Sequence, residues 1–143
     1  MRIASIASEV DPFAKTGGLA DVTSALAKAV TSLGHEVRLI MPLYRQVDRA
    51  RFALRLARIG CTVSVGPVTR DVRVWEGVLS GSTVRVYFID QPALFDRDGL
   101  YQAQGQDHPD NLERFSLFSQ AALAILPLVQ WQPEIIHCHD WQA

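Results

Sequence analysis

The first 42 residues alternate between short apolar runs and one long amphipathic run. Positions 2–8 are mostly apolar and bounded by charge, which is typical of a buried parallel strand. Apolar residues then recur at three- and four-residue steps, which predicts a helix that stops at Gly34. Its predicted buried stripe comprises Leu19, Val22, Leu26, Ala29, Val30 and Leu33. Positions 37–41 predict a second strand, so the segment predicts a right-handed βαβ unit.

The middle of the chain has a β-rich pattern. Positions 62–65, 72–79 and 84–89 predict three strands separated by glycine-containing turns. The last two are expected to form an antiparallel hairpin that extends the sheet. Positions 91–108 are polar and contain proline and glycine, which predicts a long loop. Loops of this length are uncommon unless they are functional or mobile.

A second long helix is predicted from Pro109, with Asp107 or His108 as its N-cap and Pro127 at its end. Its predicted buried stripe comprises Leu112, Phe115, Phe118, Ala122, Ile125 and Leu126. The strand-like run 135–138 follows. The predicted fold class is therefore α/β, a Rossmann-like parallel sheet with helices on both faces and a β-hairpin extension.

Composition and charge exclude several classes of function. The 143 residues are 48% hydrophobic and 20% charged, which is usual for a soluble globular protein. A net charge of −1 indicates neither nucleic acid nor an anionic membrane as partner. No apolar run reaches the roughly 18 residues of a membrane span. Cys61 and Cys138 lie in strand-like segments, so we expect buried, reduced thiols in a cytoplasmic protein.

Residues 9–22 read EVDPFAKTGGLADV and join the first strand to the first helix. Gly17 and Gly18 carry no Cβ, so the backbone can approach a ligand closely there. The N–H groups at a helix start favour a phosphate, and Lys15 adds a mobile positive charge. Lysine precedes the glycines, unlike in a P-loop, and the dinucleotide fingerprint is missing. The segment predicts an anion-binding β–loop–α unit without identifying its substrate.

The end of the chain carries a second polar cluster, His137-Cys138-His139-Asp140. All four residue types can bind metals, but only His137 and His139 share a face of a strand. No other dense ligand cluster completes a tetrahedral site, so no metal site is predicted. His139 and Asp140 follow a strand and are expected at the ligand crevice. Trp141 is interpreted as core packing in preference to a sugar-stacking platform.

Three segments resemble one family, the bacterial glycogen synthases and plant starch synthases. The run from Glu9 to Val22 resembles its E-x-x-P-x-x-K-T-G-G-L-A-D-V motif. Residues 137–141 resemble its H-x-H-D-W motif, and residues 110–115 resemble its D-N-x-x-R-F helix start. These motifs occur in the family's order and cover the chain nearly end to end. Ala27 departs from the family's usual proline, inside the first helix.

The resemblance implies a retaining glycosyltransferase. Such an enzyme transfers glucose from ADP-glucose to the non-reducing end of an α-1,4-glucan such as glycogen, without metal or organic cofactor. Family members are several times longer, so positions 1–143 are expected to be the acceptor-side N-terminal part. A C-terminal nucleotide-binding domain is then absent, and this fragment alone is expected to be inactive. The alternatives are a related transferase with another acceptor and a non-catalytic glucan- or nucleotide-binding module.

The resemblance also implies roles for individual residues. Lys15 would compensate the charge of the donor's diphosphate, and Asp21 would hydrogen-bond a sugar hydroxyl. Glu9 either contacts the sugar or braces the loop. Asp140 would lie near the transferred glucose, where it could stabilise oxocarbenium charge or orient the acceptor. The predicted catalytic residues are Asp140 and Asp21, and the predicted substrate-binding residues are Lys15, Gly17, Gly18, Glu9 and His139.

Overall fold

The computed structural model describes all 143 residues. Strands and helices alternate at both ends of the chain, and a β-rich segment lies between them. The elements are β1 (Arg2–Ala7), α1 (Gly18–Ser32), β2 (Glu36–Pro42), β3 (Arg55–Val65), β4 (Val68–Val78), β5 (Arg85–Asp90), α2 (Pro92–Phe95), β6 (Gln102–Ala103), β7 (Gln106–Asp107), α3 (Asn111–Leu128) and β8 (Ile135–His139).

Six strands form one mixed sheet in the order β3-β4-β5-β2-β1-β8. The strands β5, β2, β1 and β8 are mutually parallel, whereas β3 and β4 extend the sheet as an antiparallel pair. The predicted α/β fold class is confirmed, as is the antiparallel pairing of 72–79 with 84–89, seen as β4 with β5. The extension is larger than predicted, because β3 begins at Arg55 instead of Thr62.

The connections place the two long helices on opposite faces of the sheet. The chain moves from β1 through α1 to β2 in one direction across the sheet. It later passes from β5 through α3 to β8 in the opposite direction. Because parallel crossovers are right-handed, opposite directions require opposite faces. Because β5, β2, β1 and β8 run parallel, all four end at the same edge of the sheet, where the loops after β1 and β8 meet.

The loop after β1 is anchored on the sheet by an aromatic cluster. The Phe13 ring lies 4.7 Å from that of Phe52 and 5.0 Å from that of Phe88, in edge-to-face arrangements. Both Phe13 and Phe88 are buried. Burial of such a ring contributes about 1.5–3 kcal/mol, so the loop is held by the core as well as by its own hydrogen bonds.

The predicted buried stripe of α1 is wrong. The helix buries its small residues Ala20, Thr23, Ser24 and Ala27 instead, whereas Val22 and Leu33 are 56% and 76% exposed. Small side chains let the helix approach β1 and β2 closely. The Ser24 hydroxyl also donates to the carbonyl of Asp11 at 2.6 Å. This bond ties the first turns of α1 to the loop after β1.

The predicted stripe of α3 is confirmed except at its first residue. Phe115, Phe118, Ala122, Ile125 and Leu126 are buried, but Leu112 is 82% exposed. The helix begins at Asn111 with Asp110 at the N-cap position, so the expected caps Asp107 and His108 are wrong. Asp107 instead belongs to β7, and the His108 amide donates to the Tyr101 carbonyl. Pro127 lies inside the last turn.

The two cysteines are free, but they are not both buried. Cys61 is partly buried and Cys138 is exposed, so the expectation of two buried thiols is wrong. The physical reason is that β8 lies at the edge of the sheet. None of the helices combines the length and the apolar character needed to cross a bilayer.

The segment 91–108 is more ordered than the predicted loop. It contains α2 and the two-residue strands β6 and β7. Gly99 has a φ of +68°, and a Cβ there would lie 1.9 Å from the carbonyl oxygen of Gln102. Glycine is therefore required both for its backbone conformation and for space. This turn determines where the next residues, including Tyr101, are placed.

Replacing Gly99 with alanine is expected to destabilise the chain more than replacing Gly105. Gly105 also has a positive φ, +78°, but no atom lies within 4 Å of its Cβ position. Gly105→Ala should cost about 1 kcal/mol for the left-handed conformation. Gly99→Ala should cost a further ~2 kcal/mol because of the clash. Urea denaturation of both variants measures the difference, and equal losses would contradict this account.

Candidate functional site

The candidate site lies where the parallel strands end. Residues 8–17 follow β1, residues 140–141 follow β8, and Tyr101 reaches this edge from the segment between α2 and α3. The Tyr101 hydroxyl contacts Ser8 and Glu9, each at 2.7 Å. Its ring centroid lies 6.2 Å from that of Trp141. The structure therefore brings the two predicted motif segments together around one tyrosine.

Glu9 is the most heavily hydrogen-bonded side chain of the site. Its Oε1 accepts from Thr16 Oγ1 and from Tyr101 Oη, both at 2.7 Å. Its Oε2 accepts from the backbone N–H groups of Thr16 at 2.6 Å and Gly17 at 3.3 Å. The residue is only 3% exposed. Of the two predicted roles, this geometry favours bracing of the loop over contact with a sugar.

The same contacts keep Glu9 ionised. Burial by itself raises the pKa of this carboxyl group, but hydrogen bonds from Thr16, Tyr101 and Gly17 outweigh it. The net pKa lies below its ordinary value. A folded-state pKa below the unfolded value means that ionised Glu9 stabilises the fold above about pH 4.5. That contribution is lost as the pH falls through the folded-state pKa.

Lys15 and Asp21 form an exposed ion pair at the start of α1. Lys15 Nζ lies 2.6 Å from Oδ1 and 2.7 Å from Oδ2 of Asp21. The hydrogen bond with Asp21 raises the pKa of Lys15, so the ammonium group is charged at neutral pH. Both side chains are about half exposed, and exposed ion pairs stabilise a fold little. The lysine is thus free to exchange its carboxylate partner for another anion.

Gly17 and Gly18 leave the start of α1 open. No atom lies within 4 Å of the Cβ position of either residue, so packing alone does not require glycine there. Gly17 occupies the N-cap position and supplies no side-chain hydrogen bond to the helix. The first N–H groups of a helix without a side-chain cap attract anions. The uncapped helix start is compatible with a bound anion, and anion binding by Gly17 and Gly18 stays a prediction.

His139 points into the protein instead of out of it. The residue is buried, and its Nε2 lies 3.0 Å from the Ser5 hydroxyl oxygen. The His137 ring stacks on it at a centroid distance of 4.0 Å, which confirms that the two share one face of β8. Burial, and then the nearby His137, lower the pKa of His139. These contacts favour a role in holding the end of β8, and direct substrate contact stays a prediction.

Asp140 and Trp141 form the exposed turn after β8. Asp140 has a φ of +65°, a conformation that aspartate tolerates better than most residues. Its Oδ1 accepts from the Trp141 N–H at 2.8 Å. Trp141 is 62% exposed and packs edge-on against Phe115 at 5.4 Å. The interpretation of Trp141 as core is therefore wrong, because the turn places the indole on the outer side of Phe115.

Sequence reasoning missed Ser8 and Tyr101 as members of this site. The available signal was the unusual length of the segment 91–108, which carries Tyr101. Nothing in the local pattern pairs that tyrosine with Glu9, which lies 92 positions earlier. The chain holds no cluster of three or more histidine, cysteine or acidic side chains that could ligate a metal.

The imidazole of His139 is expected to titrate below the ordinary value of about 6.5. Its burial disfavours the charged form, and protonated His137 would repel it. Because the unfolded chain binds this proton more readily, the stability contributed by neutral His139 is lost as the pH falls below about 6.5. NMR titration of the ring protons measures the midpoint directly. A midpoint at or above 6.5 would rule out this environment.

Comparisons with known proteins identify the family of this chain. The starch synthase catalytic domain model matches residues 2–143. The glycogen synthase of Syntrophotalea carbinolica is 49% identical to this chain, over 99% of the chain and 29% of the relative's own length. Glycogen synthase 1 of Geobacter metallireducens is 42% identical, over 99% of the chain and 28% of its own length. The solved catalytic domain of starch synthase IV from Arabidopsis thaliana, bound to ADP and acarbose, superposes with a TM-score of 0.84 at 36% identity, over 99% of this chain and 28% of that one. The chain therefore belongs to the starch synthase catalytic domain family.

Proposed function

We propose that this chain is the acceptor-side N-terminal part of a glycogen synthase. The complete enzyme would transfer glucose from ADP-glucose to the non-reducing end of an α-1,4-glucan with retention of configuration. The observation that carries the proposal is the open start of α1 with Lys15 beside it, braced by Glu9 at the carboxyl edge of the sheet. The chain spans less than a third of the length of its glycogen synthase relatives.

The anion-binding geometry suits the donor's diphosphate. When the bond from glucose to ADP breaks, negative charge develops on the leaving phosphate. Lys15 and the free N–H groups at the start of α1 would stabilise that charge in the transition state. In the free protein, the ammonium group of Lys15 donates hydrogen bonds to the carboxylate of Asp21. A bound diphosphate would replace Asp21 as the anion paired with Lys15. The carboxylate of Asp21 could then accept a hydrogen bond from a sugar hydroxyl.

Asp140 is the carboxylate best placed to act near the transferred glucose. It is exposed at the turn after β8, next to Trp141 and close to Tyr101. Only its Oδ1 takes part in a hydrogen bond within the chain. We assign to Asp140 either stabilisation of the oxocarbenium-like charge or orientation of the acceptor hydroxyl. Trp141 offers an exposed aromatic face beside it for a glucan ring.

The remaining parts of the proposal concern the whole protein. A second, nucleotide-binding domain would close over this edge of the sheet and supply the other groups that hold ADP. The enzyme would work in the cytoplasm, and no metal or organic cofactor is needed for the steps assigned to these residues. The structure of starch synthase IV bound to ADP and acarbose supports a nucleotide ligand for the complete enzyme.

Lys15→Ala in the full-length protein is expected to lower kcat/KM for ADP-glucose by at least about 100-fold, the scale of a lost electrostatic donor. The matched control is Lys28→Ala, because Lys28 is exposed on α1, the helix that follows the loop of Lys15, and forms no ion pair. Glucose incorporation into glycogen measures both variants, with UDP-glucose as the comparison donor. Equal activity of the two variants would overturn the role of Lys15. Glucan binding without turnover of either donor would favour the non-catalytic module.

The 143-residue chain by itself is expected to show no glucose transfer above background. Lys15 and Asp140 lie on one edge of an open sheet, and no part of this chain covers that edge to exclude water. The measurement is glycogen labelling by the purified chain with ADP-glucose. Transfer by this chain at a rate near that of the full-length protein would contradict the assignment of half the site to a second domain.

A further inference from the structure

We propose that Tyr101 is a positioning residue for the donor-binding loop, held in place by Arg114 and Asn111 at the start of α3. The proposal rests on the proposed function, since it deepens the role of the loop formed by residues 9–17. It assigns no contact with substrate to Tyr101. A series of hydrogen bonds and ring contacts connects the start of α3 with the backbone N–H groups of that loop.

The first step is the contact between Tyr101 and Glu9. Tyr101 Oη donates to Glu9 Oε1 at 2.7 Å. The Ser8 hydroxyl, also 2.7 Å from Tyr101 Oη, then donates to it in turn. Glu9 passes the constraint to the N–H groups of Thr16 and Gly17. The tyrosine hydroxyl is therefore one of four donors that fix the position of this carboxylate. The position of the carboxylate in turn fixes the loop formed by residues 9–17.

The second step is how the backbone of Tyr101 is fixed. Asn111 Nδ2 donates to the Tyr101 carbonyl at 3.0 Å, and the His108 amide donates to the same oxygen at 2.9 Å. The Tyr101 ring packs against Phe115 at a centroid distance of 5.7 Å. Contacts with the first turns of α3 therefore fix both the main chain and the ring of Tyr101.

Arg114 holds the segment that precedes Tyr101. It is fully buried yet forms no ion pair. Its Nε donates to the Leu94 carbonyl at 2.7 Å, and its Nη1 donates to the Leu100 carbonyl at 2.9 Å. Its guanidinium also lies 5.4 Å from the ring centroid of Phe95. A buried charge costs several kcal/mol unless it is hydrogen-bonded, so Arg114 is constrained to keep these contacts with both ends of segment 94–100, although its Nη2 has no partner within the chain. Leu100 directly precedes Tyr101.

Tyr44 shows that ring burial alone does not explain the contacts of Tyr101. Tyr44 is buried and packs edge-on against Phe95 at 5.8 Å. Its hydroxyl nevertheless makes no hydrogen bond within the chain. The two tyrosines therefore differ in the hydrogen bonds of the hydroxyl group, which joins Glu9 and Ser8 only in Tyr101. That difference supplies a matched control.

The direct test is amide hydrogen exchange in the full-length protein. Tyr101→Phe keeps the ring and removes only the hydroxyl group, so exchange at the Thr16 and Gly17 amides should accelerate by about tenfold. Tyr44→Phe should leave those two amides unchanged. Arg114→Lys should accelerate them as well, because one ammonium group cannot reach both loop carbonyls. Unchanged exchange in Tyr101→Phe would overturn the positioning role.

The kinetic test uses the same variants with ADP-glucose. Tyr101→Phe should raise KM for the donor by about tenfold, with a smaller change in kcat, whereas Tyr44→Phe should stay within about twofold of the parent. Faster exchange without a change in KM would show that the brace is not used for donor binding, and would overturn the proposal. If the parent protein transfers no glucose, the proposed function fails, whereas the exchange result still decides whether Tyr101 positions the loop.

Discussion

The arrangement of the site depends on one buried carboxylate, that of Glu9. Removing an ionised carboxylate from water costs several kcal/mol unless enough donors replace the lost solvent. Glu9 obtains four, from Thr16 twice, from Gly17 and from Tyr101. Satisfying this one group requires the end of β1, the start of α1 and the segment before α3 to converge. The shape of the glycine loop follows from that requirement.

Glu9 and Lys15 differ in their roles, because Glu9 holds the loop in place whereas Lys15 is exposed and can exchange its partner. The negative charge of Glu9 is satisfied by N–H and O–H donors, so it does not engage the ammonium group of Lys15 only a few residues away. Lys15 instead pairs with the exposed Asp21, an interaction that water and salt weaken. A buried network therefore holds the loop, whereas the ion pair of Lys15 with Asp21 is exposed to solvent. Rigid support with one adaptable cation suits the diphosphate-binding role that we propose for this loop.

The elements that a sequence predicts well are those with a local pattern. The parallel strands are continuous apolar runs, and β1, β2 and the pairing of β4 with β5 follow the prediction closely. The stripe of α1 failed because large apolar residues were taken as the buried face. A helix that lies close to a sheet buries small residues instead, and here Ser24 and Ala27 do so. The exposed Leu112 and Trp141 failed for a related reason, since periodicity does not reveal which neighbours cover a face.

The sequence by itself determined the family, the α/β class and the position of the glycine-containing loop between β1 and α1, because each of these is carried by residues that are close together in the chain. Only the tertiary structure favoured one of the two predicted roles of Glu9, that of bracing the loop, because one of its donors, Tyr101, lies 92 positions away. It also placed His139 against Ser5, across 134 positions, and left Asp140 exposed beside it. Contacts between residues that are distant along the chain arise from the order and direction of the strands, which no local pattern of hydrophobic and polar residues contains.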